Sequence, residues 1–283
     1  MSYVTTPDGV RLYFEEAGAG TPVVFVHEFS GDLRSWEAQI QHFSRRYRCI
    51  AFNARGYPPS DVPERVSSYS TRNAVDDIAA VMRHLKIGKA HVVGCSMGSQ
   101  STLHFGLTYP RMAISLTCIG AGSGSNYATR AEQKRAAMEN ARRYEEDGLE
   151  AILARLRKAP NRVRLKHKNP RAWDEFGKRF VEHSARGSAN VQRGIQAVRP
   201  PISTLGAKLR ALKVPTHMVV GDEDTGAIEP SLFVKRTCAV ARLSVIPATG
   251  HLVNLEEPEI FNRLTEMFFA DVENGTGSRP APG

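Results

Sequence analysis

Five consecutive residues, Gly94-Cys95-Ser96-Met97-Gly98, carry a hydroxyl between glycines placed two before and two after it. A serine hydroxyl is a weak nucleophile near neutral pH. It attacks only when a base takes its proton, and that base needs a third group to orient it. Of the nine histidines, His251 has the suitable address. It ends Ala248-Thr249-Gly250-His251, between the last predicted strand and the last predicted helix. The run Val219-Val220-Gly221-Asp222-Glu223-Asp224 offers three carboxylates just after the preceding predicted strand. A hydroxyl, a carboxylate and an imidazole in that chain order can carry out acyl transfer, with attack, orientation and proton removal divided among them.

Those side chains need elements to bring them together. Short β-branched runs predict buried strands at Pro22–His27 and Arg48–Phe52, then at Ala90–Gly94 and Ala113–Ile119. Further strands are predicted at Thr216–Val220 and Leu243–Ile246, and an earlier one at Leu12–Glu15. Helices are predicted at Thr71–Leu85, capped by Ser70 or Thr71, at Ser96–Tyr109, and at Pro258–Asp271. Strands alternating with helices imply parallel pairing and an α/β sheet. Ser96 then falls where a strand ends and a helix begins. Glycines on either side let strand and helix approach without a Cβ clash, and the helix N-terminus favours negative charge developing there. An ordinary helix N-cap would also call for serine at this position. From Tyr127 to Val198 the alternation lapses into a helical, basic insertion.

The chain has 283 residues, 41% hydrophobic and 24% charged, which excludes bulk disorder. No apolar run approaches the roughly 20 residues of a membrane span, and the first residues do not read as a signal peptide. The four cysteines, Cys49, Cys95, Cys118 and Cys238, form no CxxC pair, which argues against a zinc cluster or a dense disulfide framework. A reduced, cytoplasmic protein is expected. The net charge of +9 is uneven, because residues 125–215 carry 21 Lys and Arg against 9 Asp and Glu. That excess reads either as solvated helix faces or as attraction for anionic substrates. Basic residues are not interleaved with aromatics in any nucleic-acid module pattern. Residues 274–283, rich in Gly, Pro and Ser, are expected to form a disordered tail.

From Asp8-Gly9-Val10 to Phe268 the sequence resembles the α/β-hydrolase superfamily, near its small cap-bearing esterases. The resemblance implies a mostly parallel central sheet flanked by helices, with residues 1–124 and 206–273 as the core and 125–205 as a helical cap. It implies Ser96, Asp224 and His251 as a catalytic triad. Asp222 is a second choice for the acid or a turn carboxylate. The loop His27-Glu28-Phe29-Ser30-Gly31 is similar to the family's His-Gly-x-x-Gly loop. By that match the Phe29 and Met97 N–H groups would form an oxyanion hole. Glu28 stands where glycine is usual, and either turns away to pair with an Arg or a backbone N–H, or shapes the substrate pocket or raises the pKa of His251. Asn53-Ala54-Arg55-Gly56-Tyr57-Pro58-Pro59-Ser60-Asp61 is similar to a loop of the family that is usually structural. The cap aromatics Tyr127, Tyr144, Trp173, Phe176 and Phe180 would form either pocket wall or the cap's own core. Tyr127, Trp173 and Glu28 are the substrate-binding candidates. Arg162-Val163-Arg164-Leu165-Lys166-His167-Lys168 reads as a solvated element that could also hold an anionic group.

The implied activity is hydrolysis of small or medium carboxylic esters through an acyl-enzyme, with no cofactor and no metal. The expected partner is a small-molecule ester, without nucleic acid or membrane, and a homodimer is compatible with the sequence. A carbon–carbon bond hydrolase, a lactonase or a perhydrolase would use the same machinery. The first of these typically has Asn before the serine and Trp after the histidine, where this chain has Cys95 and Leu252. A non-catalytic ligand-binding protein on the same fold is the remaining alternative.

Overall fold

The computed structural model describes residues 2–122 and 129–276. Eight strands form one sheet: β1 (Ser2–Thr5), β2 (Arg11–Ala17), β3 (Thr21–Val26), β4 (Tyr47–Phe52), β5 (Ala90–Cys95), β6 (Ala113–Ile119), β7 (Thr216–Gly221) and β8 (Ala241–Ile246). Their order is β1-β2-β4-β3-β5-β6-β7-β8. β1 and β2 pair antiparallel, as do β2 and β4, and every later pairing is parallel. All six residues of β5 and of β7 are buried, as continuous apolar runs covered on both faces should be.

Residues of each central strand alternate between two cores. Val23 and Phe25 of β3 face the layer built by α1 (Glu37–Phe43) and, at the far end of the chain, the helix Pro258–Glu273. That layer buries Trp36, Phe43, Phe261 and Phe269. Val24 and Val26 face α2 (Thr71–His84) and α3 (Met97–Thr108), against Ile78, Met82, Leu103 and Phe105. Each large apolar side chain removed from water in this way contributes roughly 1.5–3 kcal/mol. Ser70 caps α2, accepting from Asn73 N–H at 3.0 Å. The Asn53–Asp61 loop is tied down by polar bonds. Arg55 is bidentate on the buried Asp77 at 2.8 and 2.7 Å, and Asn53 Oδ1 accepts from Leu33 N–H at 2.9 Å.

Between β6 and β7 the chain runs through α4 (Arg130–Glu146), α5 (Gly148–Leu156), α6 (Pro160–Lys168), α7 (Pro170–Phe180) and α8 (Ala185–Val191), with a π turn at Gln192–Gln196. These helices bury a core of their own around Tyr144, Ile152, Phe176 and Phe180. α9 (Gly206–Ala211) leads back into the sheet, followed by α10 (Thr225–Thr237), α11 (Val253–Glu256) and α12, the Pro258–Glu273 helix named above. Beyond α12, the N–H groups of Asn274, Gly275 and Thr276 bond back to Ala270, Val272 and Asp271, so these residues close the helix. The rest of the expected tail lies outside the described residues. Among the described residues no helix is long and apolar enough to cross a membrane.

Candidate active site

The turn from β5 into α3 is sharp enough to force Ser96 to φ +53°, a left-handed backbone unusual outside glycine. The flanking glycines are required by contact. A Cβ on Gly94 would lie 2.3 Å from Gly98 O, and one on Gly98 would lie 2.1 Å from Val26 O. The Ser96 N–H is fixed to Ile119 O on β6 at 2.8 Å.

His251 follows β8 on a loop that Gly221 lets approach β7, because a Cβ there would meet Thr249 O at 2.1 Å. His251 Nε2 lies 2.7 Å from Ser96 Oγ, and Nδ1 lies 2.6 Å from Asp224 Oδ2. Imidazole and carboxylate are both buried. A carboxylate only accepts, so the Nδ1 proton goes to Asp224 and Nε2 is left to accept from the serine hydroxyl. Gly120, at φ +60°, leaves room for this pair, since a Cβ would stand 3.0 Å from His251 Cε1 and 3.2 Å from Asp224 Oδ2.

The other two carboxylates of the turn do different work. Asp222 accepts from Thr249 N–H at 3.1 Å, and backbone bonds from Thr249 and Ala248 lower its pKa. Glu223 pairs with Arg164 on α6. A fourth carboxylate matters more. Glu256, buried on α11, accepts from Gly250 N–H at 2.7 Å and from Leu252 N–H at 3.1 Å, bracketing His251 on both sides. Burial pushes its carboxyl up, partly offset by those two bonds. Glu256 belongs to no motif in the sequence; its spacing of five from His251, on the predicted loop side of Pro258, is the signal that points to it.

The loop after β3 is held from several sides. His27 Nε2 accepts from Ala54 N–H at 3.0 Å and Nδ1 faces Glu28 O at 2.7 Å, so the ring is neutral with its proton on Nδ1. Burial lowers its pKa to about 4, in keeping with that state. Tyr57 Oη donates to Phe29 O at 2.7 Å and so fixes the Phe29 peptide. Neither Phe29 N–H nor Met97 N–H is used in a hydrogen bond among the described residues. Glu28 is fully buried, and burial pushes its carboxyl up. It takes Ser35 Oγ at 3.0 Å on one oxygen, leaves the other without a partner and packs over Gly31. A backbone hydrogen bond at Glu28, the Arg162 charge and the Ser35 hydroxyl partly offset that rise.

Tyr127 lies outside the described residues. Trp173 is buried in the same cluster as Leu165 and Leu252, while Tyr144, Phe176 and Phe180 pack within the helical segment. The Arg162–Lys168 run is part of helix α6, not a uniformly solvated element. Arg162 and Leu165, three apart, are buried, and Arg164 and Lys166 are exposed. Among the described residues no group of three or more His, Cys, Asp or Glu is arranged to hold a metal ion.

The model of the alpha/beta hydrolase fold matches residues 21–258, and the chain belongs to this family. It is 26% identical over 278 residues to a Bacillus subtilis (strain 168) protein named putative 2-succinyl-6-hydroxy-2,4-cyclohexadiene-1-carboxylate synthase, covering 95% of this chain and 98% of that one. It is 24% identical over 252 residues to 3-oxoadipate enol-lactonase 1 of Acinetobacter baylyi, covering 89% of each. Among solved structures it is similar to a thermophilic esterase from Thermogutta terrifontis, with malate bound, at a TM-score of 0.83 and 26% identity over 96% of this chain and 98% of that one. Family and relatives together support hydrolytic activity.

Proposed function

We propose that the protein is a serine hydrolase of small or medium carboxylic esters, with Ser96 as nucleophile, His251 as base and Asp224 as the group that orients it. The line from the buried Asp224 through His251 to Ser96, with contacts of 2.6 and 2.7 Å, carries this reading. The Ser96 oxygen attacks the ester carbonyl as its proton passes to His251 Nε2. The resulting imidazolium is stabilised by Asp224, and the oxyanion by the Phe29 and Met97 N–H groups. His251 then gives the proton to the departing alcohol, leaving Ser96 acylated. Water, deprotonated by His251, attacks the acyl carbonyl, and the proton returns to Ser96 as the acid leaves. The residues that do this need no metal or cofactor.

The esterase and the enol-lactonase among the similar proteins support acyl-oxygen cleavage. A lactone, an ester closed on itself, would follow the same steps, and similarity to an enol-lactonase is what favours it as the second reading. The test is hydrolysis of p-nitrophenyl acetate and butyrate by the wild type and by Ser96→Ala. Turnover that disappears with the substitution supports the proposal. Turnover that survives it, or a wild type inert toward esters and lactones alike, overturns it.

A further inference from the structure

Arg162, on α6, has no part in the proton relay and is not built like a surface arginine. Its residue is only 7% exposed. Nη2 donates to Ser30 Oγ at 2.8 Å, and the guanidinium carbon lies 5.5 Å from the centre of the Phe176 ring. Nη1 is buried without any hydrogen-bond partner. Two other cations of the same helix are treated differently: Arg164 pairs with Glu223, and Lys168 with Glu257. A guanidinium keeps its proton throughout the accessible pH range, so it cannot lessen the penalty of burial by becoming neutral. A buried guanidinium with one terminal nitrogen unpartnered can take a further acceptor. Glu28 is close enough for the Arg162 charge to favour its carboxylate, and one of its oxygens is itself without a partner, but no direct hydrogen bond joins the two groups.

The position of this open donor gives it a substrate. Ser30 directly follows Phe29, whose N–H is the proposed oxyanion donor, and Phe29 stacks edge-on against Tyr144 at 5.8 Å. Arg162 thus bonds the residue that follows the proposed oxyanion donor, in the basic stretch of the chain. Planar carboxylates match the guanidinium fork best. We propose that Arg162 receives a free carboxylate of the substrate, so that the preferred substrates are esters carrying a second, ionised carboxyl group, such as half-esters of small dicarboxylic acids. This proposal rests on the serine-hydrolase reading for its chemistry, though not for its binding step.

Monomethyl succinate and methyl butyrate differ mainly in the distal carboxylate, and pH-stat assays follow both. The wild type is expected to have the higher kcat/KM for monomethyl succinate. The ratio between the two should fall by about 10- to 100-fold in Arg162→Met, mainly through KM, and recover in part in Arg162→Lys. Succinate should bind Ser96→Ala protein in calorimetry and fail to bind the Ser96→Ala, Arg162→Met double variant. A wild type without preference, or a ratio unchanged by Arg162→Met, overturns the proposal, as does succinate binding that does not depend on Arg162. If neither ester is hydrolysed but succinate binds through Arg162, the site stands and the esterase reading falls. If methyl butyrate is hydrolysed and succinate does not bind, the reverse holds. Thermal midpoints of all variants identify any that fail to fold, in which case Arg162→Lys decides.

Discussion

Removing the Glu256 carboxylate should damage turnover without touching the substrate. Its two oxygens hold the N–H groups on either side of His251, at 2.7 and 3.1 Å, inside a buried loop. Hydrogen bonds to a charged acceptor each contribute about 1.5–3 kcal/mol. Glu256→Gln keeps the size and one acceptor but turns an NH2 group toward the other N–H. One bond is lost and two donors face each other, so the expected loss of stability is about 2–3 kcal/mol. Glu256→Ala leaves both N–H groups unsatisfied and should lose about 3–5 kcal/mol. The imidazole is then free to drift from Ser96 and Asp224, and a displacement of about 1 Å is enough for a 100-fold loss of rate. Urea melts give the stability. Steady-state kinetics on p-nitrophenyl butyrate should show kcat falling by about 10- to 100-fold in Glu256→Gln, with KM nearly unchanged. A positioning role predicts that split. If Glu256→Gln keeps wild-type kcat and stability, or if KM alone rises, the reasoning about this bracket is refuted.

Asp224→Asn should lower kcat by about 10⁴-fold, as expected when the orienting carboxylate is lost and the base takes the wrong tautomer. Asp222→Asn, which alters only a turn bond to Thr249, should lower it by less than about tenfold; equal losses would mean the acid has been misassigned. Gly98→Ala should destabilise by about 3 kcal/mol or fail to fold, because the added Cβ meets backbone oxygens that cannot swing away; a melt within about 1 kcal/mol of wild type contradicts the contact. His91 is fully buried, and burial lowers its pKa to about 3, so the folded chain keeps it neutral while the unfolded chain protonates it below about 6.5. Its contribution is present above that pH and lost as pH falls toward the folded value. Wild type should therefore lose stability about 1.4 kcal/mol per pH unit more steeply than His91→Asn between pH 6 and 4, and parallel curves would refute this.

The central strands and the sharp turn that carries Ser96 were legible because their signals are local. β3 and β5 are short apolar runs ended by glycine or polar residues, and α2 presents one apolar face after a capping serine. Other elements carried no such mark. β1 is four residues with only Val4 buried, and it exists because β2 pairs with it. α10 contains Pro230, which a sequence reading takes as a break. The partner of His251 could be narrowed only to three neighbouring carboxylates from the chain alone, since choosing among them needs the turn geometry that sends Asp222 to Thr249 and Asp224 to His251. Aromatic spacing in the helical segment could not separate pocket wall from core, because both faces of a short helix are apolar when helices pack on one another. Arg162 was hidden for a related reason: in a run of alternating basic and apolar residues, only the helical period of α6 turns it inward with Leu165.

The proposed hydrolysis requires that the Ser96 oxygen be activated by the imidazole beside it. Treating the intact protein with a fluorophosphonate and mapping the adduct by peptide mass spectrometry addresses that directly. A single adduct on the peptide containing Ser96, absent in Ser96→Ala and formed at least about 100-fold more slowly in His251→Ala, is the predicted result. No adduct, one on another residue, or labelling at an unchanged rate without His251 would contradict it.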